Sequence, residues 1–141
     1  PVIAGSLIYA VNYQGNLNIF DQSQKRSIWK SEASSFYSPV ITKGLIIVVE
    51  NNSKIITYSN KTLEESWSSD EYLNRSLSNP ISFKGNLLVG DNEGYLHIIN
   101  PINGKTVGRK KISKQPLKYL SSRGNAIYVV DDSFSLFSLS L

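Results

Sequence analysis

The stretch GNLLVGDNEGYLHIINPINGK, residues 85–105, contains most of the side chains in this chain that could form a chemical site. Asp91, Asn92 and Glu93 offer oxygen atoms of the kind that bind Ca²⁺. A calcium loop, however, places at least four oxygens at alternating positions and usually ends on a distal Glu. Here the residues, with Gly94, lie between two apolar runs, where Asp, Asn and Gly supply turn conformations. We therefore interpret Asp91, Asn92 and Gly94 as a structural turn and predict no metal site.

The repeated units support this interpretation of the turn. The corresponding segments elsewhere in the chain are NYQG at 12–15 and NNSK at 51–54, which keep turn character and lose the carboxylates. The segment PINGK at 101–105 could suggest a phosphate loop, but such a loop needs two spaced glycines and a Lys-Ser/Thr pair that opens a helix. Asn103 and Gly104 instead form the strongest short hairpin signal, so we assign them to a second structural turn.

A catalytic centre is not indicated by the remaining titratable residues. His97 is the single histidine, and a general base needs an orienting partner and a nearby nucleophile. The acidic pairs Glu64–Glu65, Asp70–Glu71 and Asp131–Asp132 are sequence neighbours, which point to opposite faces on a strand. We expect them in solvated turns. We predict no catalytic residue, no metal and no cofactor.

Composition limits the classes of protein further. The chain has 141 residues, a formal net charge of +4 and no cysteine, which excludes disulfides, thiolate zinc sites and a cysteine nucleophile. The positive charge is dispersed, since the densest run, GRKK at 108–111, holds three cations. A nucleic-acid partner is therefore not expected. No apolar run reaches membrane-spanning length.

Short strand signals recur with a period near forty residues. Gly5, Gly44, Gly85 and Gly124 each precede an apolar strand, with spacings of 39, 41 and 39 residues. A second strand follows in each unit, in which Leu17, Ile56 and Leu96 match and are predicted to share one inward face. Asp21, Asn60 and Asn100 are expected to close these strands at equivalent places.

This period, with four strands per unit, predicts an all-β fold of the β-propeller type. We expect about three and a half four-stranded antiparallel blades, at residues 1–37, 38–78, 79–117 and, incomplete, 118–141. The last strands carry Trp29 and Trp67, for which we predict packing between blades, while Gly108 takes the corresponding place in the third unit. Because so few blades cannot close a ring, we expect a second copy to complete it as a dimer, or else blades outside this chain.

The repeat resembles a known family. The segment YAVNYQGNLNIFDQSQKRSIWK and residues 85–105, preceded by SNPISFKGN, are similar to the C-terminal half of the BamB family, propeller lipoproteins of the outer-membrane β-barrel assembly machinery. The likeness covers essentially the whole chain. The pattern from Asp21 to Trp29 is shared with pyrroloquinoline-quinone dehydrogenase propellers, so the continuous match through residues 80–105 is the more specific signal.

The resemblance implies half of an eight-bladed ring on the periplasmic face of the bacterial outer membrane. It implies a non-catalytic scaffold that binds BamA, with a lipid anchor on an N-terminal part that precedes this sequence. Arg75 matches an Arg in an inter-blade connection of the family, and we expect it on the partner-binding face. Unfolded outer-membrane proteins are a second expected partner, through added strands.

Two alternatives remain at this point. The chain could come from a quinone-dependent dehydrogenase, although no set of residues marks a cofactor site. It could also be a structural propeller of another envelope complex.

Overall fold

The computed structural model describes residues 1–141, which contain fifteen antiparallel β-strands and no helix. The strands are β1 Val2–Ala4, β2 Leu7–Val11, β3 Asn16–Asp21, β4 Arg26–Glu32, β5 Val40–Thr42, β6 Leu45–Val49, β7 Ile55–Ser59, β8 Glu65–Ser69, β9 Ile81–Phe83, β10 Asn86–Gly90, β11 Tyr95–Ile99, β12 Thr106–Lys111, β13 Leu117–Arg123, β14 Ala126–Asp131 and β15 Leu136–Ser140. They form four separate sheets. The first three are four-stranded, β1–β4, β5–β8 and β9–β12, and the fourth has three strands, β13–β15. The predicted all-β propeller architecture is confirmed.

Each sheet is a meander in which strands pair in chain order. We call the hairpin formed by the first two strands of a sheet its inner hairpin. In the second and third sheets it turns at Lys43–Gly44 and Lys84–Gly85, and both residues of each turn have positive φ. A two-residue turn of this kind matches the right-handed twist of the strands. An up-and-down meander places the β1–β2 and β3–β4 turns, and their equivalents, at one end of every sheet. We call this the upper end. The β2–β3 turns and the connections between sheets lie at the opposite, lower end.

Neighbouring sheets pack face to face over three separate apolar clusters. Leu17 and Ile19 of the first sheet meet Ile46, Val48 and Ile56 of the second. Between the second and third sheets lie Ile47, Val49, Ile55, Leu87 and Val89. Between the third and fourth lie Leu88, Leu96, Leu120, Ile127 and Val129. The middle sheets are therefore buried on both faces, as the unbroken apolar run LIIVV of β6 indicates.

The predicted equivalence of Ile56 with Leu17 and Leu96 is wrong. Ile56 points back at the first sheet, whereas Leu17 and Leu96 each point at the following sheet. Ile55 occupies the equivalent place. The lower turn explains the difference: Ser53, with positive φ, takes the place of Gly15 and Gly94, so the residue two positions later is Ile55, and a shift of one residue exchanges the faces of a strand.

The strand-closing position of the second unit shifts in the same way. Ser59 pairs with Leu45 as Asp21 pairs with Leu7, so the prediction that Asn60 closes this strand is also wrong. The Ser59 hydroxyl accepts the Lys61 and Thr62 N–H groups, just as the Asp21 carboxylate accepts those of Ser23 and Gln24.

Both tryptophans lie on the side of their sheet that faces the next one. Trp29 packs on the first cluster and meets the Tyr58 ring edge-on, at 5.2 Å between centroids. Trp67 packs on the second cluster, and its indole N–H donates to the Pro101 carbonyl oxygen at 2.9 Å. Gly108 pairs with Ile98 at the corresponding place of the third sheet.

Two glycines let the third sheet approach its neighbours closely. A Cβ at Gly104 would lie 2.7 Å from the Trp67 ring, and one at Gly94 would lie 2.2 Å from the Ser113 carbonyl oxygen. Gly94 also accepts the Ile112 N–H through its own carbonyl. Both have positive φ, which L side chains rarely adopt.

We predict that Gly94→Ala destabilises the protein far more than Gly44→Ala. Both substitutions place a side chain at positive φ, which costs about 1 kcal/mol. Only at Gly94 must the backbone of the next connection also move, since Gly44 has open space around it. The check is the urea midpoint of each variant; equal midpoints would contradict the close approach of the two segments.

Candidate functional site: the Asp91 network between the second and third sheets

Asp91 is fully buried in the turn that joins β10 to β11. One carboxylate oxygen, Oδ1, accepts the backbone N–H groups of Glu93 and Tyr95, both at 2.9 Å. Its backbone carbonyl accepts the N–H groups of Gly94 and of Leu117, the first residue of the fourth sheet. The turn is thus fixed by Asp91 and tied to the following sheet.

Arg75 reaches the same carboxylate from the connection between the second and third sheets. Its Nη1 donates to Asp91 Oδ2 at 2.9 Å, and Glu93 lies 3.8 Å from the same nitrogen. The Arg75 carbonyl accepts the Asn92 N–H at 2.9 Å. Arg75 remains partly exposed, so its guanidinium joins a buried charge to the lower surface of the protein.

His97 completes the network from within the third sheet. Its Nε2 lies 2.7 Å from Asp91 Oδ2, and only 3% of the residue is exposed. The Tyr72 ring packs edge-on against the imidazole, at 4.9 Å between centroids. The Tyr72 hydroxyl is hydrogen-bonded to the Thr106 hydroxyl.

A small polar cavity of about 200 Å³ opens beside these groups. It is lined by Glu71, Tyr72, Arg75, His97, Thr106 and Arg109. The Thr106 hydroxyl donates to Glu71 at 3.3 Å, and the Arg109 guanidinium lies over the Tyr95 ring, 4.7 Å from its centroid. The cavity therefore carries charges of both signs, most of which already have partners.

The environment sets the protonation of the network. Burial alone raises the pKa of Asp91, but hydrogen bonds from His97, the Tyr95 N–H and Arg75, with the charge of His97, outweigh burial and lower this pKa. Burial raises the pKa of Tyr72, in spite of its bond to Thr106. Asp91 is therefore a carboxylate at neutral pH.

The His97 imidazole contacts the Asp91 carboxylate in the way that a general base contacts its orienting partner in an enzyme. The sequence pattern did not predict this contact. The two positions are six residues apart on opposite sides of a turn, and only the paired strands bring them together. The nearby hydroxyls of Tyr72 and Thr106 are bonded to each other rather than to the imidazole. This geometry fixes a turn and aligns no nucleophile.

The other predicted turn residues lie in the two turns of the third sheet. Asn92 is exposed beside Asp91, and Gly94 closes that turn. In the other turn, the Asn103 side chain accepts the Lys105 N–H at 3.0 Å, and Gly104 lies against Trp67. The two turns lie at opposite ends of the sheet.

A carboxylate occupies the position of Asp91 in the second and fourth sheets too, although aligning the turn sequences of the repeats indicated that the other units lack it. The N–H of Asp91 donates to the carbonyl of Tyr95, four residues on; Asn12, Glu50 and Asp131 make the same bond in the other sheets. The equivalent in the second sheet is therefore Glu50 rather than Asn51. Asp131 is buried, and its bonds from the hydroxyl groups of Ser113 and Ser133 lower its pKa, so the solvated position expected for it is wrong, whereas its neighbour Asp132 is exposed in the turn as expected.

Comparisons with known proteins identify the family. A sequence model of the family described as outer membrane protein assembly factor BamB matches residues 1–131. The chain belongs to the BamB family. Relatives include BamB of Shewanella oneidensis, 39% identical over 83% of this chain and 30% of the relative, and BamB of Escherichia coli K12, 32% identical over 79% and 29%. The crystal structure of BamB from Moraxella catarrhalis superimposes with a TM-score of 0.93 at 25% identity, over all of this chain and 42% of that one.

The chain spans about 30% of the length of the curated relatives it matches. No helix of the chain has the length and hydropathy to cross a membrane.

We predict that Asp91→Asn costs on the order of 3 kcal/mol of unfolding free energy, because Arg75 and His97 lose their shared buried anion. The matched control is Asp132→Asn, an exposed carboxylate with only a surface ion pair to Lys118, which should change stability little.

The same network predicts acid sensitivity. A carboxyl whose pKa is lowered by folding stabilises the protein above its unfolded pKa, about 3.9, and this stabilisation is lost as pH falls through the folded pKa. Urea unfolding between neutral and acid pH should show a smaller pH dependence in Asp91→Asn than in Asp132→Asn. The same pH dependence in both variants would contradict this role of Asp91.

Proposed function

We propose that this chain is a non-catalytic scaffold of outer-membrane protein assembly that binds BamA at its lower end. The observation that carries the proposal is the match of residues 1–131 to the assembly-factor family. The corresponding location is the periplasmic side of the bacterial outer membrane, where a lipid anchor elsewhere in the parent protein would hold it.

The lower end has the side chains that a protein interface uses. The rings of Tyr13 and Phe36 are both exposed and stack at 5.9 Å between centroids, and Leu73 and Phe134 are exposed at the same end. Arg75 adds a partly exposed guanidinium that Asp91 holds in place. Aromatic residues and Arg are the types that most often dominate binding energy, so this end is the proposed docking surface for BamA.

Unfolded outer-membrane proteins are the second proposed partner, through β15 of the fourth sheet, which pairs with one strand only within residues 1–141. That sheet ends at β15, where the other sheets have a fourth strand. Phe134 and Leu136 lie exposed beside or on this edge. An incoming strand could pair with β15 and cover them. A second copy of the chain is the other occupant proposed for this flank.

We predict that Phe36→Ala and Arg75→Ala each weaken binding to the purified periplasmic domains of BamA by at least about tenfold, as expected for interface anchors. Ile102→Ala is the matched control, since Ile102 is also an exposed apolar residue but lies at the upper end. Calorimetric titration measures the affinities, and thermal melting of each variant excludes unfolding. Loss of affinity in Ile102→Ala alone would place BamA at the opposite end.

We predict that Leu136→Lys reduces capture of an unfolded outer-membrane protein in a crosslinking assay, because a charge on an edge strand opposes strand addition. Tyr128→Lys is the control, since Tyr128 is an exposed apolar residue on β14, the central strand of the same sheet. Equal loss in both variants would indicate general apolar adsorption and would contradict pairing at the edge.

A further inference from the structure

The fold sorts the charges of this chain between its two ends. Three cations, Lys43, Lys84 and Arg123, lie at or beside the inner hairpin turns of three successive sheets. Four more, Lys25, Arg26, Lys61 and Lys105, lie in or beside the outer hairpin turns, which join the third and fourth strands of the first three sheets. All seven are exposed and belong to the upper end.

The acidic residues show the opposite distribution. Asp21, Glu64 and Glu65 are the acidic residues of the upper end, and Asp21 is buried under hydrogen bonds from Ser23 and Gln24. The remaining eight of the eleven lie at or toward the lower end, as do the other eight of the fifteen cations. The upper end thus holds seven cations against three acids, and these account for the whole net charge of +4, because the eight acids and eight cations elsewhere balance.

The upper cations form no ion pair within the chain. All the ion pairs of the structure, such as Arg75–Asp91 and Lys54–Asp70, lie at the lower end. At the upper end, Arg26 donates to the Gln24 side chain, and Lys84 donates to the Leu141 carbonyl oxygen and lies over the Phe83 ring. Unpaired exposed cations on one side create a field that attracts anionic surfaces.

The kind of anionic partner follows from what accompanies these cations. Ile102 is the one exposed large apolar side chain within the upper turns, and the exposed ones beside those turns are Ile3 and Phe20 of the first sheet, Val107 of the third and Leu141. Phe20 is the single aromatic ring among them, whereas a protein interface of useful affinity uses several aromatic anchors and single-stranded nucleic acid needs several stacking rings. Adsorption to a fluid layer of anionic lipid needs only several cations within a Debye length of one surface.

We propose that the upper end binds an anionic lipid surface through Lys43, Lys84 and Arg123, supported by the cations of the outer turns. This surface is separate from the BamA-docking surface, because the two lie at opposite ends of the sheets. A protein held by its upper end presents Phe36 and Arg75 away from the lipid. The proposal does not depend on BamA binding and can fail or succeed without it.

The test is cosedimentation of the purified protein with vesicles of phosphatidylcholine, with and without phosphatidylglycerol. The variant Lys43→Gln/Lys84→Gln/Arg123→Gln removes the inner cations. The control Lys30→Gln/Lys110→Gln/Lys114→Gln removes the same charge from exposed positions outside the upper end that form no ion pair. Circular dichroism confirms that each variant is folded.

We expect the protein to bind only the vesicles that contain phosphatidylglycerol, and to be released as salt rises from about 0.05 M to about 0.5 M. One cation near an anionic surface contributes about fivefold in affinity, so the upper-end variant should lose on the order of 100-fold. The control should lose markedly less.

Equal losses in the two variants would overturn the proposal, because net charge alone would then explain binding. Unchanged binding in the upper-end variant would also overturn it. If soluble polyglutamate binds the upper end and anionic vesicles do not, the partner is an acidic protein and the lipid assignment is wrong.

Discussion

Face-to-face packing of neighbouring sheets is the interaction on which the rest of this structure depends. The second and third sheets are apolar on both faces, and strands such as LIIVV have no polar side to turn toward water. Burying such a sheet requires a neighbour on each side, which is why the units stack in order along the chain. Trp29 and Trp67 extend this packing from the strand faces to the outer turns of the next sheet.

A polar network maintains the alignment that the apolar packing requires. Asp91 receives hydrogen bonds from its own turn, from His97 in its own sheet and from Arg75 in the preceding connection. Its backbone carbonyl receives one from Leu117 of the following sheet. Because the carboxylate is fully buried, a lost partner would leave charge without compensation. The network therefore joins three consecutive units through one residue, and it orients Arg75 toward the lower surface.

The two ends of the sheets provide two different surfaces. Inter-sheet connections and β2–β3 turns bring together exposed aromatic rings, Arg75 and most of the carboxylates. The hairpin turns of the upper end bring together cations that have no acidic partner. A scaffold built from repeated hairpins can present one partner surface at each end, because equivalent turns of all the sheets lie at the same end.

The sequence by itself determined the period near forty residues, the strands within it and the family, because strand length, turn residues and the stretch at residues 80–105 are local features. It did not determine register in the second unit, where Ser53 rather than Lys54 takes the place of Gly15, so the equivalent of Leu17 is Ile55 rather than Ile56. In the sequence, the positive charges are dispersed along the chain and indicate no common surface. Only the tertiary structure placed His97 beside Asp91 and gathered seven distant cations at one end, because both depend on which strand lies next to which.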